Sequence, residues 1–244
     1  MKIFNALVMT SVWLVSINHS VAATRSFDLK SQVETYKLRY GLRDPNSKLV
    51  NNTGDGYGAL YGVRNFRVVL HGVYYRGGAN NVYNKNLKRK NTNPLQGGAL
   101  TNLCEEGFKE AVYLYTTNYS SAPKEISCKI TKTGEPNRLT YHQLSALGAN
   151  NEEAHLKKIY SHIKGIVPGP IYDHCWNGWH ASGYVAAITL RQFCGYSASE
   201  ADAYWVRNTD GHESGMNSIR KKIRSFKPLP NLSISKTEQN LICP

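Results

Sequence analysis

The chain has 244 residues, 41% of them apolar and 11% aromatic, with 16 tyrosines. That suffices for one domain around a real hydrophobic core, and it excludes long-range disorder and a fibrous or collagen-like chain. Lys and Arg number 30 against 17 Asp and Glu, a formal charge of +13, so the surface field attracts anions; nucleic acid, anionic lipid, phosphorylated small molecules and acidic polysaccharide all fit that charge.

Residues 1–23, MKIFNALVMTSVWLVSINHSVAA, carry one early cation, Lys2, an apolar stretch from Phe4 to Ile17, and a small-residue end at Val21-Ala22-Ala23. This is the pattern of a secretory signal peptide cleaved near Ala23. A membrane anchor is the competing reading, but the apolar run is short for a bilayer and Asn18-His19-Ser20 interrupts it. No later segment approaches spanning length. The expectation is a soluble monomer, exported to the periplasm or secreted, with no membrane span and a mature charge of +12, since Lys2 is the one charged residue removed from +13. Five cysteines follow: Cys104, Cys128, Cys175, Cys194 and Cys243. In an oxidising compartment an odd count suggests two disulfides and one thiol. Sequence does not fix the pairing; with Cys175 as the odd one, Cys104 with Cys128 and Cys194 with Cys243 is the first expectation, and the competing readings keep all five buried and reduced or make the unpaired one a core residue.

Residues 24–60 are polar and read as an N-terminal extension ending in the glycine-rich NNTGDGYG. No Gly-Lys-Ser/Thr follows those glycines, so they predict a turn rather than a phosphate-binding loop. Residues 65–75, NFRVVLHGVYY, predict one or two strands closed by Arg76-Gly77-Gly78. Residues 79–98 have loop composition, with a basic run at 85–90 read as a solvated positive patch. A short helix is expected over 103–110, a buried strand over 111–116 and another strand over 126–130. Residues 151–164 predict a helix capped by Asn151, with Glu152 and Glu153 in its first turn and Leu156, Ile159, Tyr160 and Ile163 on one face. A strand begins at Ile171 and runs into Asp173-His174-Cys175. Helices are expected over 182–194, stopped by Gly195, and over 198–207. This order implies a single α/β domain over 61–244, with a central, mostly parallel sheet flanked by helices.

The segment 169–183, GPIYDHCWNGWHASG, places Cys175 at the end of a strand and just before a helix. Turn amides and the positive end of the helix converge there, which favours a thiolate and binds an anion. That suits nucleophilic attack on a phosphate ester; the competing reading is a structural cysteine at a tight turn.

Residues 65–205 resemble the cysteine-dependent protein-tyrosine and dual-specificity phosphatase superfamily, whose loop reads His-Cys, five residues, Arg, then Ser/Thr-Gly. The resemblance is carried by Asn65-Phe66-Arg67 and by Gly72 to Gly78 upstream, by the strand at 111–116, by His174-Cys175 with Gly178 inside the loop, and by Ser182-Gly183 opening the next helix. It implies a protein-tyrosine-phosphatase-like fold and hydrolysis of a phosphate ester through a Cys175 thiophosphoryl intermediate, without cofactor or metal. His174 would orient the loop. Trp176, Asn177, Gly178, Trp179, Ala181 and Gly183 would surround the bound phosphate. Ser182 would help the cysteine depart in the second step, or cap the helix.

The sequence departs from this pattern at two points. Ala181 stands where the loop arginine is expected, with His180 before it, so weakened activity is expected. His180 as a catalytic cation, or Arg76, Arg138 or Arg207 from elsewhere, would have to supply the charge. No Asp occurs between Asp55 and Asp173, which leaves Glu135 and His142 as possible general acids, while strand alternation turns Asp173 away from the loop. Trp176 and Trp179 either wall a pocket or pack the core. Acyl transfer by a Cys–His pair needs an orienting Asp or Asn that cannot be placed. The alternative to an enzyme is a catalytically dead pseudophosphatase that binds a phosphorylated or anionic ligand; a nucleic-acid partner is disfavoured.

Overall fold

A computed structural model describes residues 26–81, 91–148 and 151–244. The signal segment and the basic run at 85–90 lie outside the described residues. The chain begins with α1 (Leu29–Tyr40), then β1 (Arg64–Leu70) and β2 (Tyr74–Gly78), a two-stranded ladder of β3 (Asn80–Asn81) with β4 (Asn91–Thr92), α2 (Gly97–Glu105), β5 (Glu110–Tyr113), β6 (Glu125–Lys129) and β7 (Pro136–Gln143). It continues through α3 (Glu152–Ile163), β8 (Ile171–Cys175), α4 (Ala181–Phe193), α5 (Ala198–Arg207), α6 (Asn217–Ser225) and α7 (Lys236–Ile242).

Six strands form one sheet in the order β1-β2-β8-β5-β7-β6. The inner four, β2, β8, β5 and β7, are parallel, and the two edges, β1 and β6, are antiparallel to their neighbours. The sheet is therefore mostly parallel, as the order of elements implied. β8 is buried at every position, and its C-terminal residue, Cys175, lies beside Gly78 of β2. Ligands of open parallel sheets bind beyond the carboxyl ends of the strands, and Cys175 sits at that edge.

Strand alternation divides the core. Val112 and Leu114 join Ile171 and the apolar faces of α3, α4 and α6 on one side. Ala111, Tyr113 and Tyr172 join α2 and a cluster of aromatic rings on the other. Four differences from the sequence reading have physical causes. The polar stretch 24–60 contains α1, capped by Asp28 and stopped by Gly41 in the left-handed region at φ 63°; only Val33, Tyr36 and Tyr40 are buried along it, too sparse a stripe to signal a helix. α2 starts ahead of the expected 103–110, at Gly97-Gly98, poor helix formers that hide the start. α6 and α7 were not foreseen: α6 buries only Ile219 and Ile223, and α7 only Ile242. Asn151 precedes α3 without capping it; its side chain donates instead to the Ser145 carbonyl at 2.9 Å.

Disulfides join Cys104 to Cys128, tying α2 to β6, and Cys194 to Cys243, tying the end of α4 to the C-terminus. Cys175 is the free, buried thiol.

Candidate active site

β8 delivers Cys175 to the sheet edge, the chain turns through residues 176–180, and α4 begins at Ala181. The sulfur is nearly buried, with the residue 3% exposed, and Sγ lies 3.5 Å from the Ser182 hydroxyl. Ser182 is inside the first helical turn, where His180 holds the cap position, so its hydroxyl bonds the sulfur and does not cap the helix.

The carbonyls of the loop are held from outside. Arg64 donates to Trp176 O from Nε at 3.3 Å and from Nη2 at 3.2 Å, and the Ala79 amide adds a bond at 2.9 Å. Asn65 Nδ2 donates to Asn177 O at 2.6 Å, Arg76 Nη1 to Gly178 O, and Trp205 Nε1 to His180 O at 3.2 Å. In a planar peptide the N–H points opposite to the C=O. Holding the Asn177 and Gly178 carbonyls directs the amides that follow them, of Gly178 and Trp179, the opposite way, and among the described residues neither these two amides nor that of His180 has a protein acceptor. This is a concave nest of N–H groups at a helix N-terminus, suited to an anion.

Two glycine positions permit the arrangement. Gly178 has φ +77°, and a Cβ there would lie 2.7 Å from Gly77 C and from Gly78 N and 2.9 Å from Asn65 Cβ. A Cβ on Gly78 would lie 2.8 Å from Asn177 C and 2.9 Å from Trp176 O. Asn65 itself adopts φ 50°, where β1 slips register between Arg64 and Arg67; the bulge re-aims the Asn65 side chain at the loop, and Asn tolerates that conformation.

His174 is fully buried between Tyr113 and Tyr141, stacked on both rings at 5.3 and 5.7 Å. Its Nδ1 donates to the Cys175 carbonyl at 3.2 Å and its Nε2 accepts from Tyr141 OH at 2.6 Å, while that hydroxyl accepts from the Leu95 amide at 3.0 Å. Burial pushes the imidazole down to about 3, so His174 is neutral and orients the strand end without adding charge. Asp173 points to the opposite face, as alternation requires. There it accepts from Tyr74 OH at 3.2 Å, lies 4.0 Å from His155, and is pushed up to about 8 by burial.

The remaining candidates separate into those near the loop and those away from it. His180 is bound through Nε2 to the His212 carbonyl at 2.6 Å. Trp179 stacks on His212 with ring centroids 3.8 Å apart and donates to Asp210 at 3.0 Å; it packs, whereas Trp176 is 49% exposed at the loop surface. Ala181 and Gly183 are buried in the first turn of α4. Glu135 is corrected as a general acid: it is exposed in the β6–β7 turn, next to Pro136, at the opposite end of β7 from the residue level with His174. His142 is corrected too, because its Nε2 is engaged by Glu110 at 3.1 Å, and Glu110 pairs with Ile171 at the far end of β8. Arg138 is exposed and paired with Glu125 on the edge hairpin, and Arg207 is exposed at the end of α5. Arg76 alone of the three arginines reaches the loop, from beneath.

Sequence reasoning missed Arg64, Asn65 and Trp205 as loop-holding residues. The available signal was charge inside apolar strands: Arg64, Arg67 and Arg76 interrupt runs that should be buried, and such residues are almost never buried without a partner. It also missed Tyr115, pushed up to about 12 by burial and, secondarily, by a negative charge on Cys175. Among the described residues, no group of three His, Cys, Asp or Glu side chains could hold a metal ion.

Three solved structures are similar to this chain over part of its length. The core catalytic domain of the PP-IP phosphatase SIW14 from S. cerevisiae, in complex with citrate, is 15% identical over 66% of this chain and 85% of its own, with a TM-score of 0.41. TpbA of P. aeruginosa is 14% identical over 66% of this chain and 86% of its own, with a TM-score of 0.43. PTPMT1 is 13% identical over 65% and 95%, with a TM-score of 0.36. These are cysteine-based phosphatases, the group that the loop motif resembles. The fold and the chemistry of this chain rest on its own sheet order and loop geometry. No protein-family model matches the chain, and no curated protein matches it.

Proposed function

We propose that this chain is an exported, monomeric, cysteine-dependent phosphatase that hydrolyses phosphate monoesters at Cys175. One observation carries the reading. Four loop carbonyls, of Trp176, Asn177, Gly178 and His180, are held outward by Arg64, Asn65, Arg76 and Trp205, which leaves a nest of amides around a free thiol. The two disulfides are compatible with an oxidising, exported location.

In the first step Cys175 Sγ attacks phosphorus, the bond to the leaving oxygen breaks, and that oxygen takes its proton from solvent, since Glu135 lies at the far end of β7 and His142 is engaged by Glu110. In the second, water attacks the thiophosphoryl group, inorganic phosphate forms, and the departing sulfur accepts a hydrogen bond from Ser182 Oγ at its 3.5 Å distance. Trp176, Asn177, Gly178, Trp179 and the first turn of α4 through Ala181 and Gly183 bind the phosphoryl oxygens by backbone amides. His174 fixes the strand end, and His180 shapes the loop. With no arginine fork at Ala181 and no facing acid, turnover is weak and favours acidic leaving groups such as phenols.

The second reading is a pseudophosphatase that binds a phosphorylated ligand without turnover, and Ala181 favours it. The test measures alkylation of Cys175 by iodoacetamide across pH, with and without phosphate or vanadate, together with hydrolysis of p-nitrophenyl phosphate by the wild type and Cys175→Ser. Rapid alkylation near neutral pH, protection by the oxyanion, and turnover lost in Cys175→Ser support the phosphatase. Protection without turnover supports the pseudophosphatase. Slow alkylation with no protection refutes both.

A further inference from the structure

Arg67 and Arg76 are at most 1% exposed. Between them, among the described residues, they meet one carboxylate: Asp210, 3.5 Å from Arg67 and shared with the more exposed Lys48 at 2.8 Å. Arg76 is bound by Nε to Tyr204 OH at 2.9 Å and by Nη1 to Gly178 O; its guanidinium carbon lies 5.5 Å from the Tyr204 ring centre. Its Nη2, like Arg67 Nε, is buried without a hydrogen-bond partner. A Cβ on Gly183 would sit 3.7 Å from Arg76 Nη1, so the guanidinium lies against the first turn of α4, where the loop amides converge. Burial, and then repulsion from Arg76, lowers Arg67 to about 10. Two buried guanidinium groups with one partly exposed carboxylate leave a positive excess, and such an excess is costly unless an anion answers it. The anions that answer it are the Cys175 thiolate and a bound oxyanion.

We propose that Arg76 is the positioning residue that substitutes for the arginine missing at Ala181, delivering positive charge to the anion nest from beneath, through the Gly178 carbonyl. This rests on the phosphatase reading above. A loop arginine grips phosphoryl oxygens by a bidentate fork, which selects geometry as well as charge. Arg76 touches no substrate atom, so the nest selects charge and tolerates tetrahedral oxyanions of different size. The groups that face it are Arg67 of β1, Tyr74 of β2, Tyr172 of β8 and Tyr204 of α5, with the Gly178 carbonyl on the loop side; Asp173, level with it on β8, is pushed up to about 8 by burial and lacks a full counter-charge at neutral pH.

The test is the rate of Cys175 alkylation by iodoacetamide at pH 6, and the phosphate and vanadate concentrations that give half protection, in Arg76→Gln and Arg76→Lys. Removing the charge that binds the Gly178 carbonyl should slow alkylation about tenfold and raise both half-protection concentrations about tenfold in Arg76→Gln. Arg76→Lys, which keeps the charge and loses the fork, should stay within about twofold of the wild-type rate. An Arg76→Gln variant with native near-ultraviolet circular dichroism and wild-type reactivity and protection overturns the proposal, as does Arg76→Lys falling as far as Arg76→Gln. Should Arg76→Gln not fold, Asp210→Asn decides. It is isosteric, keeps an acceptor for Trp179, and removes the counter-charge, so alkylation should quicken and protection tighten about threefold; no change, or a change of opposite sign, overturns the proposal. A wild type that shows neither rapid alkylation nor protection refutes the phosphatase reading itself, whereas wild-type protection that is indifferent to these variants refutes Arg76 alone.

Discussion

Replacing Gly178 by alanine should damage the loop far more than the same replacement at Gly134, although the two share a backbone conformation. Gly178 has φ +77° and Gly134 φ +73°, so both alanines carry a left-handed penalty of about 1 kcal/mol. The surroundings differ. Around Gly134, in the β6–β7 turn, nothing lies within 4 Å of the added carbon, whereas at Gly178 it meets backbone atoms of Gly77 and Gly78 at 2.7 Å. Those atoms belong to β2, which is hydrogen-bonded to β1 on one side and β8 on the other, so neither can retreat cheaply. Overpacking of this kind costs about 1–3 kcal/mol more, giving about 2–4 kcal/mol at Gly178 against about 1 kcal/mol at Gly134. Urea unfolding followed by circular dichroism measures both. The functional arm is vanadate protection of Cys175 below the unfolding transition, which Gly178→Ala should lose and Gly134→Ala should keep. Equal destabilisation by the two variants, or intact protection in Gly178→Ala, would refute the packing argument.

Further predictions concern the supports around the loop. Tyr141→Phe removes the acceptor of the Leu95 amide and the donor to His174 Nε2; leaving both buried groups unpaired should cost about 1–3 kcal/mol in urea unfolding, and a cost near zero would mean that water replaces the hydroxyl. Asp173 is raised to about 8 by burial against about 3.9 unfolded. Its contribution is therefore intact at low pH and lost as pH rises from about 4 through 8, so Asp173→Asn should unfold at higher urea than the wild type at pH 8.5, and the difference should shrink toward pH 4.5. His71 and His155 are depressed to about 4 and His174 to about 3 by burial; the native state should lose stability as pH falls below about 6.5, with a slope that is shallower by up to one proton in His155→Gln. Under native, non-reducing conditions a thiol reagent should label Cys175 alone, and reduction of the two disulfides should lower stability by about 3–4 kcal/mol for each loop closed; labelling at any other cysteine would contradict the pairing.

Much of the fold is legible in the sequence because its central segments obey strong local rules. The runs around Val68, Val112 and Ile171 are too apolar to lie outside a sheet, and the Leu156-Ile159-Ile163 stripe specifies α3. The odd cysteine at a strand-to-helix turn makes Cys175 identifiable, whereas the other four cysteines can join in three ways and the structure decides among them. The rest depends on long-range contact. α1 hides because three buried side chains among polar ones give little periodicity, and α6 and α7 hide for the same reason. The general acids suggested by position fail for two reasons that chain order hides: Glu135 lies at the end of β7 away from the loop, and His142, though level with Asp173, is engaged by Glu110. The loop supports Arg64, Asn65 and Trp205 lie far from Cys175 along the chain, and only the β2–β8 pairing and the α4–α5 contact bring them together.

The chain has four tryptophans, and three of them belong to the Cys175 loop or to the side chains that hold it. Trp176 and Trp179 are loop residues, the first half-exposed and the second stacked on His212, while Trp205 is fully buried beneath with its indole N–H on the His180 carbonyl. Their emission therefore originates from the loop and its floor rather than from the sheet or the outer helices. Seating an anion among the loop amides alters the polarity around the first indole and the rigidity of the other two. The protein carries its own optical probe of occupancy, and a titration with phosphate or vanadate can be followed without a label, a substrate or a change to the sequence.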